Sequence, residues 1–123
     1  MGLFGNGNIK TSMFLVEGLP SSFKAVIRME LDKKAQKLLF KLPQEKEFRE
    51  LPFSQILYAR RDRLIDKQKE LNELALKIIY KSKDGTDKTI VLFYSPLIST
   101  KFSKFAKELE IIARTQNPPD RTL

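Results

Sequence analysis

The chain has 123 residues, 41% of them hydrophobic and 31% charged, with a net charge of +8 and a pI near 9.8. This length suits one domain with one modest core, and the composition is that of a globular protein rather than a disordered one. Cysteine and histidine are both absent, which excludes disulfides, thiolate and imidazole metal sites, Ser-His-Asp triads and Cys-His pairs.

Residues 1–10 are expected to be a flexible lead-in, residues 11–115 a single domain and residues 116–123 a flexible tail. The stretch Met1 to Asn8 lacks the basic region and long apolar core of a secretory signal. Asn6 stands where a myristoylation motif wants Ser or Thr. The longest apolar run, Thr89 to Tyr94, has the length of a strand and not of a membrane span. A cytoplasmic location is expected, with peripheral attachment to a membrane open because of the basic charge.

Ser12 to Glu17 reads as a first strand, closed by the turn signal Gly18-Leu19-Pro20-Ser21-Ser22. Ala25, Ile27, Met29 and Leu31 then alternate with Arg28 and Glu30, the period of a half-buried strand. After a polar link, Leu38, Phe40 and Leu42 resume the alternation, so the two runs form a hairpin. From Glu47 to Ala59 the apolar positions continue, but Pro52 cannot donate to a ladder. This segment reads as two shorter strands or one bulged strand, broken at Leu51-Pro52.

The stretch Arg60 to Glu73 is dense in charge and has only a weak helical pattern in Leu64, Leu71 and Leu74. It is expected to be a long mobile loop or a short amphipathic turn of helix. Leu74 to Lys81 and Lys88 to Tyr94 form a further hairpin, whose link carries the turn pair Asp84-Gly85. The period then changes. Phe102, Phe105, Ala106, Leu109, Ile112 and Ala113 share one helical face, with Ser99 or Thr100 available as a cap and Arg114 suited to the C-terminal end.

The fold class is therefore α+β, mainly β: six or seven strands in an antiparallel meander, followed by one C-terminal amphipathic helix. This arrangement resembles the pleckstrin-homology-like fold, and small bacterial members of it most closely; the resemblance implies a bent antiparallel sheet or barrel capped by the helix. The residues that carry the resemblance are Val26 to Leu31, Leu51 to Ile56, Leu76 to Tyr80 through Asp84-Gly85 to Phe93, and Phe102 to Leu109. Eukaryotic members usually carry a Trp in the final helix, and this chain has none. In bacterial relatives a Gly-rich insertion often stands where this chain has Arg60 to Glu73. The resemblance implies a binding module whose ligand the fold does not determine.

Three basic groups are candidate sites. Arg60, Arg61 and Arg63, followed by Lys67 and Lys69, suit phosphate or carboxylate, because a guanidinium makes bidentate charge-assisted bonds. Against this, Asp62, Asp66 and Glu70 would neutralise a solvated surface run. Lys24 and Arg28, with Lys33 and Lys34 in the next turn, stand roughly where pleckstrin-homology domains bind inositol phosphates. Val26 breaks that motif, leaving loose attraction to anionic membrane. Lys101, Lys104 and Lys107 form a third basic face, interspersed with Glu108 and Glu110 as an exposed helix would be.

No carboxylate pair, phosphate-binding loop or metal-ligand spacing stands out, so no enzyme activity and no cofactor are expected. Two functional readings stay open. One is a non-catalytic interaction module binding a protein partner, in a bacterial or mobile-element assembly, through an edge strand or the groove between sheet and helix. The other is a peripheral binder of anionic phospholipid or nucleic acid through the basic loop.

Overall fold

The computed structural model describes residues 8–95 and 101–117. Among these residues seven antiparallel strands form one sheet, followed by one helix. The strands are β1 (Ile9–Glu17), β2 (Val26–Asp32), β3 (Lys37–Lys41), β4 (Arg49–Pro52), β5 (Ile56–Asp66), β6 (Leu71–Lys81) and β7 (Asp87–Phe93). A short 3-10 turn, Phe53–Gln55, joins β4 to β5, and α1 spans Phe102–Gln116.

The sheet order is β4-β3-β2-β1-β7-β6-β5. Two meanders meet where β1 pairs with β7, so β4 and β5 become the two edges. Yet these edges are neighbours in sequence, separated by the three residues of the 3-10 turn. A flat sheet of seven strands would be roughly 29 Å wide, whereas the chain from Pro52 to Ile56 reaches at most about 14 Å. The sheet must therefore curl. The ladder shifts at Leu15/Glu17 and at Ile56/Tyr58 add local bends to that curl. Since β4 and β5 do not pair with each other, it remains an open, bent sheet.

The concave face carries the core: Met13, Leu15, Ile27, Met29, Leu31, Leu38, Phe40, Leu76, Ile78 and Leu92 are all almost fully buried. These are the alternate positions that the period-two pattern selects. The helix closes the concave face with Phe102, Phe105, Ala106, Leu109 and Ala113, and packs on β5, β1 and the 3-10 turn. Its N-cap position is Lys101, which makes no side-chain capping bond, and Arg114 lies in the last turn. Ser99 and Thr100 lie outside the described residues.

Pro52 behaves as its chemistry requires, since it ends an edge strand where no second ladder needs its missing N–H. Of the two options open for Glu47 to Ala59, the chain takes two strands. The first strand starts at Ile9, ahead of Ser12. At the other end, α1 runs to Gln116, and the Asn117 Nδ2 group donates to the Ile56 carbonyl at 2.7 Å. Gln116 is thus the last residue of α1, and Asn117 ties the end of the helix to the start of β5.

The stretch from Arg60 to Glu73 is a correction. It is neither loop nor helix but the distal half of the β5–β6 hairpin, paired without interruption from Tyr58↔Ile79 to Asp66↔Leu71. Its turn, 67–70, closes with the Glu70 N–H donating to the Lys67 carbonyl at 3.2 Å and Glu70 at φ +55°. Strand alternation was hidden because this half of the hairpin extends past β7, whose last pair is Ala75↔Phe93. There Leu64 and Leu71 turn to the convex side of the sheet and pack with Phe14, Val16, Ala75, Val91 and Phe93. The Phe14 and Phe93 rings lie 5.1 Å apart at the centre of this second, smaller cluster.

Candidate interaction surface

Strand β5 is an edge with α1 beside it, and the seam between them is the most structured surface feature of the molecule. Arg61 and Glu110 form its centre. The Glu110 carboxylate accepts from Arg61 Nε at 3.0 Å, from Arg61 Nη2 at 2.9 Å and from the Arg61 backbone N–H at 3.0 Å. One carboxylate therefore neutralises a guanidinium and also occupies a peptide donor that an edge strand would leave open. Two residues on, the Arg63 N–H donates to the Asp62 carboxylate at 2.9 Å. At the start of the strand, Asn117 holds the Ile56 carbonyl. Alternation along an antiparallel strand turns the Ala59 peptide group to the same side as that of Arg61.

Around Ala59 the seam opens into a groove of about 450 Å³. Leu57, Tyr58, Ala59 and Arg60 form the strand wall, and Glu110, Ala113, Arg114 and Asn117 the helix wall. The helix residues recur at the spacing of one face. Ala59 and Ala113 are small, and their lack of bulk creates the space. The Arg60 guanidinium sits 3.3 Å from the Tyr58 hydroxyl and 3.3 Å from Asp62. The Tyr58 hydroxyl, with Asp62 behind it, raises the pKa of a group already charged at any physiological pH. Arg114 is exposed and makes no ion pair among the described residues.

A second feature lies at the hairpin tip. Phe23, exposed in the turn between β1 and β2, carries the Lys24 ammonium 5.6 Å and the Lys69 ammonium 5.5 Å from its ring centroid. Both distances suit cation–π attraction. Beneath the tip runs a cleft of about 670 Å³, floored by Ala75 and Val91 and rimmed by charges of both signs, Glu17 and Asp66 against Arg63 and Lys69.

The basic residues singled out from sequence are therefore dispersed. Arg60 lies with Tyr58, Asp62 and Lys77 on the face of β5 away from α1, Arg61 is committed to Glu110, and Arg63 leans on the Asn72 carbonyl at 3.3 Å. Lys67 and Lys69 sit in the β5–β6 turn, where Lys69 meets Lys24 over Phe23. Arg28 lies on the convex face of β2, opposite Ser12 and Lys41. Lys33 reaches across to Glu108 of α1 at 3.2 Å, while Lys34 is exposed in the β2–β3 turn. Lys104 and Lys107 are exposed on α1. Glu45 is held below the usual carboxylate range by its bidentate bonds to Arg49.

Sequence reasoning did not single out Tyr58, Ala59, Glu110, Asn117 or Phe23 as site residues. The groove residues come together only because β5 is an edge beside the helix, and no local pattern reports that. Among the described residues no three acidic side chains gather as a metal site, and no helix is long and apolar enough to cross a membrane. No family model matches the chain, and no curated protein matches its sequence.

Proposed function

We propose that this chain is a non-catalytic interaction module of the pleckstrin-homology-like type, acting in the cytoplasm, that binds a protein partner. The partner presents an extended segment to the groove between β5 and α1. The observation that supports this reading is the groove itself: about 450 Å³, beside an edge strand, between Ala59 and Ala113. Edge strands accept extended segments through backbone pairing, and adjacent pockets then choose among side chains.

The test is selection of short peptides from a random display library on the folded chain, followed by NMR mapping of the enriched ones. Amide shifts concentrated at Leu57 to Arg60 and Ala113 to Asn117 are expected. Enrichment of nothing, or shifts confined to the convex face, would refute the reading.

The second reading, a peripheral binder of anionic surfaces, is favoured by one observation: Phe23 under the two ammonium groups of Lys24 and Lys69. An exposed ring flanked by cations can enter the headgroup region while the lysines meet phosphates. Vesicles containing phosphatidylserine would then retain the chain at low salt and release it at about 0.5 M salt, where screening is nearly complete. Retention by neutral phosphatidylcholine vesicles, or no retention, would remove this alternative.

A further inference from the structure

We infer that the convex face of β5 and β6 holds a site for one small tetrahedral oxyanion, a phosphate group, between Tyr58, Arg60 and Lys77. The site lies across the sheet from the groove and does not depend on it.

The ladder register makes the site. Arg60 and Lys77 stand directly opposite each other, so their side chains share one face, with Cβ atoms about 4.5–5.5 Å apart. Their neighbours Ala59, Leu76 and Ile78 are buried, which sends Arg60 and Lys77 to the convex side. Tyr58 and Asp62 flank Arg60 on that side and both touch it. The four residues line a pocket of about 90 Å³. Sites for organic molecules occupy roughly 300–1,000 Å³, so this one suits a small ion or a single group of a longer molecule.

The charge of the pocket is unbalanced. Like charges placed directly opposite one another weaken a sheet, and Asp62 offsets only one of these two. It lies 3.3 Å from Arg60, with both side chains more than half exposed, so the pair contributes little and is readily exchanged. Its other oxygen is occupied by the Arg63 N–H. Lys77 is exposed and makes no ion pair among the described residues. The Tyr58 hydroxyl accepts from Arg60 Nη1 at 3.3 Å, which leaves its own hydrogen free to donate. An ammonium, a guanidinium and a phenol thus converge from two strands. Donors from three directions match a tetrahedral group with several oxygens better than a planar carboxylate, and guanidinium binds phosphate through charge-assisted bonds.

The experiment is an NMR titration of the isotope-labelled chain with inorganic phosphate, O-phosphoserine and acetate, each against sodium chloride of equal ionic strength. Phosphate should give saturable shifts at Tyr58, Arg60 and Lys77, half-complete at about millimolar concentration, with acetate about fivefold weaker or worse. Lys77→Ala should weaken phosphate binding about tenfold, and Lys77→Arg should keep it within about threefold. Lys77 is exposed, so circular dichroism should show both variants folded. O-phosphoserine binding as well as phosphate would assign the site to a phosphate monoester, and binding of phosphate alone would assign it to the free anion. Shifts no larger than those in chloride, equal binding of acetate, or unchanged binding by Lys77→Ala would overturn the site.

Discussion

The Arg61–Glu110 contact offers a quantitative test of how this edge strand is held. Hydrogen bonds to a charged group contribute about 1.5–3 kcal/mol when sheltered, whereas exposed ion pairs contribute about 0–1 kcal/mol. Arg61 keeps 34% and Glu110 15% of side-chain surface, which places their coupling between these limits, at about 1–2 kcal/mol. A double-mutant cycle with Arg61→Met and Glu110→Gln, read by urea unfolding, isolates that pairwise term. Glu110→Gln keeps an oxygen for the Arg61 N–H, and Glu110→Ala does not. The difference between those two single variants therefore reports what an uncharged oxygen shared by the Arg61 N–H and Nε retains, at about 0.5–1.5 kcal/mol. In thermal unfolding, Glu110→Ala should lower Tm by roughly 5 °C. A coupling energy under about 0.3 kcal/mol would show the contact to be surface decoration and refute the reasoning.

Three further outcomes follow from the packing and the turns. Phe105 is fully buried, so Phe105→Ala should cost about 3–5 kcal/mol in urea unfolding, while Ile111→Ala on the same helix, 40% exposed, should stay within about 0.5 kcal/mol. Gly18 has φ +101°, and a Cβ there would lie 2.2 Å from the Thr89 carbonyl oxygen. Gly18→Ala should therefore cost well over the roughly 1 kcal/mol expected of Gly85→Ala, which meets only the conformational penalty of φ +86° in open space. Equal losses at the two glycines would contradict the close approach of the β1–β2 turn to β7. Finally, the Ser82 hydroxyl, the Thr86 hydroxyl and the Thr86 N–H hold the Asp84 carboxyl far below its ordinary value of 3.8. Its stabilising contribution should be complete above about pH 4 and fade as the pH falls toward the folded-state value. The stability gap between wild type and Asp84→Ala should accordingly shrink in acid, and a gap that widened there would be the wrong sign.

Much of the fold was legible because two periods dominate it. Ile27, Met29 and Leu31 on β2, Leu38 and Phe40 on β3, and Ile78, Ile90 and Leu92 on the last two strands all face one core, so alternation reported them directly. The change to helical spacing at Phe102 was equally plain, since five of its apolar positions are buried. The failure at Arg60 to Glu73 has a physical cause. Alternation is visible when one face meets apolar core and the other water. Arg61 beside α1, and Arg63 where the hairpin outruns β7, occupy the inward-turning positions while Leu64 and Leu71 take the convex ones, so the apolar signal changes sides. Charged residues at the first set and leucines at the second mimic a solvated loop.

The same alternation explains why the basic run did not become a patch. Neighbours along a strand point to opposite faces, so Arg60, Arg61, Asp62 and Arg63 divide between the two sides of β5 instead of adding their fields. Arg61, on the helix side, meets Glu110 because α1 returns to the strand that starts just after the β4–β5 turn. That return is forced by the sheet order, which makes β5 an edge three residues from the opposite edge and so bends the sheet around one end of the helix. A linear charge cluster is thereby divided into a structural clamp at Arg61, an exposed pair of Arg60 with Asp62 on the other face, and a contact of Arg63 with Asn72. The groove at Ala59 exists because the clamps on either side hold the strand and helix together while two alanines keep them from filling the space between.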